Sequence, residues 1–353
     1  MQTLLNLLAA IALLVWGTHI VRTGVLRVGG ASLRQILRRS VSHRWTAFAA
    51  GVGVTGLLQS STATALLSAS FVAQGVFSLS AALAVMLGAD VGTALMVQLF
   101  SLNLSWLAPL LIVVGVIIYL AKRTEQLGQI GKVILGLGVM ILALQLITAA
   151  TTPLVQAAGV RTLFAQLTGD MALDVLIGAL LAIGCYSSLA VVLLVATLAA
   201  SNVLPLHVAL PVVLGANLGS GLLAVLTTLR ADAVTRRVPL GNLCFKSVGV
   251  IVALFALPFA MPWLTRWEDD PRQLVVLFHL LFNLSLAVLF IQFTGRPACP
   301  RPCRQGGSPR ARHCRARAAA WPGRSGRGGA AGSLRRRSCR PAASARPAAR
   351  RGP

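Results

Sequence analysis

The sequence predicts an all-α, polytopic membrane protein. Of the 353 residues, 56% are hydrophobic and only eight are acidic, and the mean hydropathy of +0.79 is far above that of a soluble globular domain. Backbone groups inside a bilayer must be hydrogen-bonded within the protein, which favours helices. Apolar stretches long enough to cross about 30 Å of hydrocarbon cover residues 2–21, 76–100, 105–121, 130–150, 203–229, 240–262 and 274–293.

Two further apolar runs, at about 46–73 and 172–200, are interrupted by short polar motifs. The first run carries Gln-Ser-Ser-Thr at residues 59–62, and the second carries Tyr-Ser-Ser at residues 186–188. Polar side chains there must bond to the backbone, to one another or to a ligand, because hydrocarbon offers them no partner. Each motif is therefore a candidate binding site.

Both motifs belong to a sequence that occurs twice. A Gly-Ala-polar-x-Gly-hydroxyl motif follows each of them at the same distance, at residues 88–93 and 215–220. When residues 56–94 are aligned without gaps on residues 183–221, 16 of the 39 pairs are identical. Leu, Ala and Val match easily by chance in so apolar a chain, but the serine and glycine positions also recur in register. The pattern indicates an internal duplication.

The distribution of basic residues predicts how the two copies are oriented. If the two serine-bearing runs enter the membrane and return as re-entrant helical hairpins, every basic loop falls on one side, as the positive-inside rule requires. Full spans would place Lys122 and Arg123 on the other side. The hairpin interpretation makes the two repeats, at about 46–121 and 172–262, inverted in topology. Residues 22–45, with six arginines and apolar residues at helical spacing, are predicted to form an interfacial helix.

The net charge of +24 is concentrated at the C-terminal end of the chain. Sixteen of the 32 basic residues follow Gly295, so that a membrane domain at 1–295 is followed by an Arg/Pro/Ala/Gly-rich tail at 296–353. With Leu334 as its one large aliphatic residue, the tail is expected to be disordered. One interpretation is a basic arm for anionic lipid or nucleic acid. We favour a frameshift in GC-rich coding DNA that replaces a cytoplasmic domain.

The serine motifs have the chemistry of an anion site. An anion such as hydrogen phosphate needs several donors and must still be released, which disfavours a tight arginine cage. Hydroxyls at a helix N-terminus supply donors, and the exposed backbone N–H groups and the helix dipole supply partial positive charge. The expected phosphate ligands are Gln59, Ser60, Ser61, Thr62, Ser187 and Ser188.

Hard oxygen ligands near these motifs suit co-bound sodium, which would offset the charge of the anion. Asp90 is the one carboxylate deep within a predicted span. A charge there costs at least ~2.5 kcal/mol and needs a partner. Backbone carbonyls freed at Gly88, Gly92, Gly215 and Gly219 would add ligands. The expected sodium ligands are Asp90, Thr93, Asn217, Ser220 and Gln59.

These residues also have structural explanations. Ser and Thr in spans often back-bond to a carbonyl or permit close helix packing, although the duplication argues against this for the serine pairs. Asp90 could instead be the structural partner of Lys246, and the glycines, spaced as Gly-x-x-x-Gly, could pack helices together. No Ser/His/Asp constellation, paired carboxylates or metal-ligand spacing occurs at 1–295. An enzyme is therefore not expected.

Taken together, the motifs resemble those of the sodium/phosphate cotransporter family, the bacterial relatives of the animal type II carriers. The resemblance covers about residues 1–295. It implies sodium-coupled transport of inorganic phosphate, with the two serine motifs forming the phosphate site. Bacterial members often carry a PhoU-like helical domain where this chain has its tail. The residues that carry the resemblance are 59–64, 88–93, 215–220, His279, Phe282 and Asn283.

Three positions depart from the family pattern. Thr62 stands where a third serine is usual, which keeps a hydroxyl. Tyr186 stands where Gln is commoner, so an amide carbonyl is lost from the second motif. Asp90 replaces the usual Asn and adds a negative charge that would strengthen a cation site or weaken phosphate binding.

We therefore expect a multi-pass secondary transporter of the bacterial inner membrane, in which phosphate and sodium move together in a direction set by their gradients. Sodium serves as coupling ion, no other cofactor and no nucleic acid are expected, and an oligomer is compatible with the sequence. One alternative is a carrier of another oxyanion or an organic anion. Another is a membrane anchor whose basic tail binds anionic lipid or nucleic acid.

Overall fold

The structure, a computed structural model, describes residues 2–40, 43–102, 105–121, 126–156 and 170–294, with the backbone alone at 151–156. The tail at 296–353 and the loop at 122–123 lie outside the described residues. Among these described residues every regular element is a helix, and none is a strand. The helices are α1 (Gln2–Arg39), α2 (Arg44–Leu58), α3 (Ser61–Ala73), α4 (Leu79–Ser101), α5 (Leu107–Ala121), α6 (Gln126–Gln156), α7 (Met171–Gly184), α8 (Ser188–Ala200), α9 (Leu206–Thr227), α10 (Ala233–Trp267) and α11 (Pro271–Phe290).

Six of the described helices are long and apolar enough to cross a membrane, namely α1, α4, α6, α9, α10 and α11. Their surfaces carry large apolar side chains that a soluble protein would bury. On α10, Phe255, Phe259, Trp263 and Trp267 are between 66% and 82% exposed, as expected where a helix faces lipid. The prediction of a polytopic, all-α membrane protein is confirmed.

Two segments differ from the sequence prediction in more than their end residues. The segment predicted as a separate interfacial helix from residue 22 onward continues α1 without a break to Arg39. Its helix-weakening residues, Gly29 and Gly30, cost only about 1 kcal/mol each in a helix interior and do not stop it. Helix α5 has 15 residues, about 22 Å at 1.5 Å per residue, so the span predicted at 105–121 is shorter than the six long helices.

Each serine-bearing run forms a pair of short helices, which we call the first hairpin (α2 and α3) and the second hairpin (α7 and α8). The four helices have between 13 and 15 residues, or about 20 Å of helix each. None of them alone matches the roughly 30 Å of a hydrocarbon core. The helix breaks fall at the serine motifs, where the sequence predicted them.

The duplicated sequence has a duplicated local structure. Helices α2, α3 and α4 begin at residues 44, 61 and 79, and α7, α8 and α9 begin 127 residues later at 171, 188 and 206. Backbone conformations recur with the same offset. The positive φ angles of Gln59 and Gly75 return at Tyr186 and Asn202.

Glycines hold the helices of each copy in backbone contact. Helix α2 packs on α4, where a Cβ at Gly51 would overlap the carbonyl oxygen of Val85. Helix α7 packs on α9 in the same way, with Gly178 against the carbonyl of Val212. This close approach fixes where each hairpin turn lies relative to the long helix that follows it.

Candidate functional site

The first serine turn, residues 59–62, joins α2 to α3. Gln59 has a left-handed conformation with φ of 52°, and Ser60 is extended with φ of −152°. Ser60 caps α3, because its Oγ accepts a hydrogen bond of 3.2 Å from the backbone N–H of Ala63. The hydroxyl proton of Ser60 is therefore still able to donate. The N–H groups of Ser61 and Thr62, in the first turn of α3, have no acceptor within the helix.

The second serine turn, residues 186–188, repeats this geometry. Tyr186 has φ of 52° and Ser187 has φ of −159°. The Oγ of Ser187 accepts a 3.2 Å hydrogen bond from the N–H of Ala190 and so caps α8. Both turns thus present a capping hydroxyl and a helix N-terminus.

Both serine turns line one cavity, which lies between the two hairpins and α1. It encloses about 80 Å³, several times the roughly 10–15 Å³ that a single water requires. Its lining brings together all six residues predicted to bind phosphate. The lining residues are Val15, Thr18, His19, Arg22, Gln59, Ser60, Ser61, Thr62, Thr93, Cys185, Tyr186, Ser187, Ser188 and Leu189.

Helix α1 supplies cavity residues that the sequence analysis did not identify. Thr18 and Arg22 are four residues apart, so they lie on one face of α1, with His19 beside them. Arg22 brings a full positive charge to the cavity, whose described lining includes no carboxylate. In the sequence, Arg22 could have been identified from its position directly after a predicted span. The six arginines of residues 22–45 instead favoured its assignment to an interfacial helix.

The amide of Gln59 is buried at the edge of this cavity. Gln59 is 5% exposed, and its Oε1 accepts no hydrogen bond from any described residue. A buried acceptor without a partner is destabilising unless a ligand or water satisfies it. The Gln59 carbonyl is thus an oxygen ligand available to a cation, or a group that water or a ligand donor must satisfy.

The five residues predicted to bind sodium divide between two places. Gln59 and Thr93 line the cavity, where the Thr93 hydroxyl also donates to the carbonyl of Ala89 at 3.1 Å. Asp90 and Ser220 instead hold Lys246 of α10. The Lys246 Nζ lies 2.8 Å from Asp90 Oδ1 and donates a 2.7 Å hydrogen bond to Ser220 Oγ.

Asn217, the fifth predicted ligand, bonds back to its own helix. Its Nδ2 donates to the Val213 carbonyl at 3.2 Å. The structural alternative for Asp90, an ion pair with Lys246, is the arrangement that the structure contains.

The expectation that carbonyls are freed at four glycines is wrong. Gly88 and Gly92 lie inside the continuous helix α4, and Gly215 and Gly219 lie inside α9, so their carbonyls belong to regular helices. The glycines serve packing instead. A Cβ at Gly88 would overlap the carbonyl of Phe48, and the equivalent Gly215 meets the carbonyl of Val175.

Comparison with known proteins extends these observations. The family model described as Na+/Pi-cotransporter matches residues 13–149 and again 151–288, so that each match contains one serine turn. Proteins named "Putative inorganic phosphate export protein YjbB" from Salmonella typhimurium and Escherichia coli K12 are 54% and 53% identical over 83% of this chain. The "Uncharacterized protein YqeW" of Bacillus subtilis is 25% identical over 83% of this chain and 95% of its own length.

The matched region is only part of the YjbB relatives. This chain spans about half of their length, 54% in each case. No solved structure matches the chain. The family model nevertheless accounts for most of the sequence in two successive matches, and the resemblance inferred from the motifs is confirmed. The chain belongs to the Na+/Pi-cotransporter family, a family of transporters and not of enzymes.

Proposed function

We propose that this chain is a secondary active transporter that moves inorganic phosphate across a bacterial inner membrane in symport with sodium. The observation that carries the proposal is the convergence of both serine turns on one cavity. Family membership and the phosphate-export name of the YjbB relatives support phosphate as the substrate. The gradients of phosphate and sodium set the direction of transport.

The charges around the cavity suit a doubly charged oxyanion. The N-termini of α3 and α8 both meet it, and each contributes first-turn N–H groups and partial positive charge. Ser60 and Ser187 can donate their hydroxyl protons, because each oxygen already accepts from its own helix. Arg22 adds one guanidinium. A single arginine beside neutral donors holds the anion without forming the tight cage that would prevent its release.

The lengths of the hairpin helices support a re-entrant, inverted arrangement of the transport domain at 1–295. Each hairpin helix of 13 to 15 residues reaches about 20 Å, which brings a turn close to the middle of a 30 Å hydrocarbon core. Broken helices that meet at the midplane are typical of secondary transporters with inverted repeats. In this arrangement the two serine turns enter from opposite sides and hold one anion between them.

Sodium binds next to the anion in this proposal. The carbonyl of Gln59 and the hydroxyl of Thr93 are hard oxygen ligands that share the cavity with the phosphate ligands. Their position allows sodium to offset the residual negative charge of phosphate. Asp90 and Ser220 are bound to Lys246 instead, and the side chain of Asn217 bonds back to its own helix.

Phosphate flux in proteoliposomes tests the site. Ser60→Ala combined with Ser187→Ala should abolish sodium-dependent phosphate flux, because both donor hydroxyls are removed. Ser78→Ala is the matched control: Ser78 caps α4 through the same 3.2 Å bond, to Ala81, but does not line the cavity. The control should lose about 1 kcal/mol of stability and keep its flux. Unchanged flux in the folded double variant would overturn the proposed site.

Competition experiments test the substrate and the coupling ion. Arsenate, which has the shape and charge of phosphate, should compete with it, whereas sulfate should compete poorly. Equal inhibition by sulfate would favour a carrier of other oxyanions. Replacement of sodium by choline should stop the flux, and flux that continues in choline would contradict sodium symport.

A further inference from the structure

Lys246 lies at the point where the polar motifs of the two repeats meet. It belongs to α10, is 1% exposed, and is the largest of the fully buried side chains in the described part of the chain. Its Nζ contacts Asp90 of the first motif at 2.8 Å and Ser220 of the second at 2.7 Å. One ammonium group therefore bridges the two copies of the duplicated Gly-Ala-polar-x-Gly-hydroxyl sequence.

Oxygen atoms of Asp90 and Ser220 hold this ammonium. The Ser220 hydroxyl donates its own proton to the backbone carbonyl of Asn217 at 2.7 Å. The lone pairs of the Ser220 oxygen can therefore face a positive charge. Asn242, one helical turn before Lys246, is 3% exposed, and its Oδ1 accepts no hydrogen bond from any described residue. Carboxylate, hydroxyl and amide oxygens are the ligands that hard cations take in proteins.

We propose that the Lys246 ammonium occupies a site between Asp90 and Ser220 that would otherwise bind a sodium ion. The ammonium, which is part of α10, thereby takes the place of a coupling cation. A buried carboxylate requires a compensating positive charge, and here the chain itself supplies that charge. Unlike sodium, the ammonium stays with the protein when the substrate leaves. Sodium coupling in the native chain then uses the ligands at the cavity and not those around Asp90. The role in coupling rests on the proposed transport function, whereas the occupancy of the cation site does not.

Lys246→Met removes the charge and keeps much of the side-chain volume. The variant should acquire a sodium site at Asp90, Ser220 and Asn242. In detergent, sodium should raise its unfolding temperature more than it raises that of the wild type, while equal concentrations of choline should not. In proteoliposomes, the variant should move one more sodium ion and one more positive charge for each phosphate.

Two further variants complete the test. Asp90→Asn combined with Lys246→Met removes both charges, and its response to sodium should return to that of the wild type. Lys132→Met is the matched control, because Lys132 stacks over Tyr119 of α5, away from this cluster. Its response to sodium should also match that of the wild type.

Several results would overturn the inference. One is a Lys246→Met protein that folds but responds to sodium as the wild type does. Another is a Lys246→Met protein that stays unfolded in high sodium, whether the charge-free double variant folds or not, because sodium then cannot take the place of the ammonium. The thermal measurement needs no phosphate. Absence of phosphate flux in the wild type would therefore count against the proposed function and leave the sodium-site result to be judged by itself.

Discussion

Gln59 and Tyr186 occupy equivalent positions in the two hairpins and share a left-handed backbone with φ of 52°. Side chains other than glycine adopt this conformation at a cost of about 1–2 kcal/mol. The two residues differ in what their side chains do. Gln59 is 5% exposed, whereas Tyr186 is 63% exposed. The left-handed backbone is therefore a property of the turn and does not depend on which side chain is present. The contribution of each side chain can be tested by its own substitution.

Tyr186→Gly should stabilise the protein by roughly 0.5–1 kcal/mol, because glycine relieves the strain and loses only part of that gain to chain entropy. Gln59→Gly relieves the same strain but removes a buried amide at the cavity, so we expect reduced phosphate flux. Unfolding temperature in detergent and flux in proteoliposomes are the measurements. A fall in unfolding temperature for Tyr186→Gly would contradict the strained-turn explanation.

The first hairpin contains a polar link that the second lacks. Thr55 of α2 and Thr64 of α3 share a buried 2.7 Å hydroxyl–hydroxyl hydrogen bond. The equivalent positions in the second hairpin are Ala182 and Val191, which are both fully buried. We expect Thr64→Val alone to cost roughly 1–3 kcal/mol, because the buried Thr55 hydroxyl loses its partner. Thr55→Ala alone should cost less, because the Thr64 hydroxyl can still donate to the Ser60 carbonyl at 3.3 Å.

The double variant Thr55→Ala with Thr64→Val reproduces the pair found in the second hairpin. It should cost less than the sum of the two single changes, with a coupling of at least about 0.5 kcal/mol. Chemical or thermal unfolding of the four proteins gives this coupling. Strict additivity would show that the hydroxyl pair does not connect the two helices energetically.

Gly88→Ala should be strongly destabilising. The added methyl group would overlap the carbonyl of Phe48 on α2, and a helix backbone cannot move aside as a flexible side chain can. Overpacking of this kind costs about 1–3 kcal/mol or more. The unfolding temperature should fall accordingly.

Gly53 of α2 provides the control for this change. A Cβ at Gly53 meets nothing within 4 Å, and alanine is favoured over glycine in a helix by about 0.5–1 kcal/mol. Gly53→Ala should therefore leave the protein as stable or slightly more so. Equal loss of stability in both variants would mean that the α2–α4 contact is not what requires glycine at residue 88.

Arg22→Gln should raise the phosphate concentration needed for half-maximal flux. A hydrogen bond from a charged donor contributes about 1.5–3 kcal/mol, which corresponds to roughly tenfold to hundredfold in affinity. Arg22→Lys should lose less, because it keeps the charge.

Arg27→Gln serves as the comparison, because Arg27 is also on α1 but contacts Gln129 at 3.5 Å and not the cavity. Its phosphate dependence should remain that of the wild type. If Arg22→Gln also left the phosphate dependence unchanged, Arg22 would not contact the anion.

Local chemistry explains why the serine turns could be located in advance. A serine that caps a helix and the break before it depend on a few neighbouring residues, so Ser60 and Ser187 were predicted at helix N-termini from the sequence alone. The duplication at an offset of 127 residues was also visible, because it is a property of the letters themselves. The sequence left open whether Gly88 and Gly215 free their carbonyls or pack helices together, since glycine is compatible both with a break and with close packing.

By itself, the sequence determined the class of protein, the helix breaks at the two serine motifs and the family, since apolar length, capping residues and repeated motifs act over short distances or by direct comparison. Only the tertiary structure decided that α1 brings Arg22 to the cavity and that Asp90 pairs with Lys246. Both depend on which helix faces which. Helices far apart in the chain are placed by the packing of the whole bundle, and a buried carboxylate takes whichever cation that packing brings within reach.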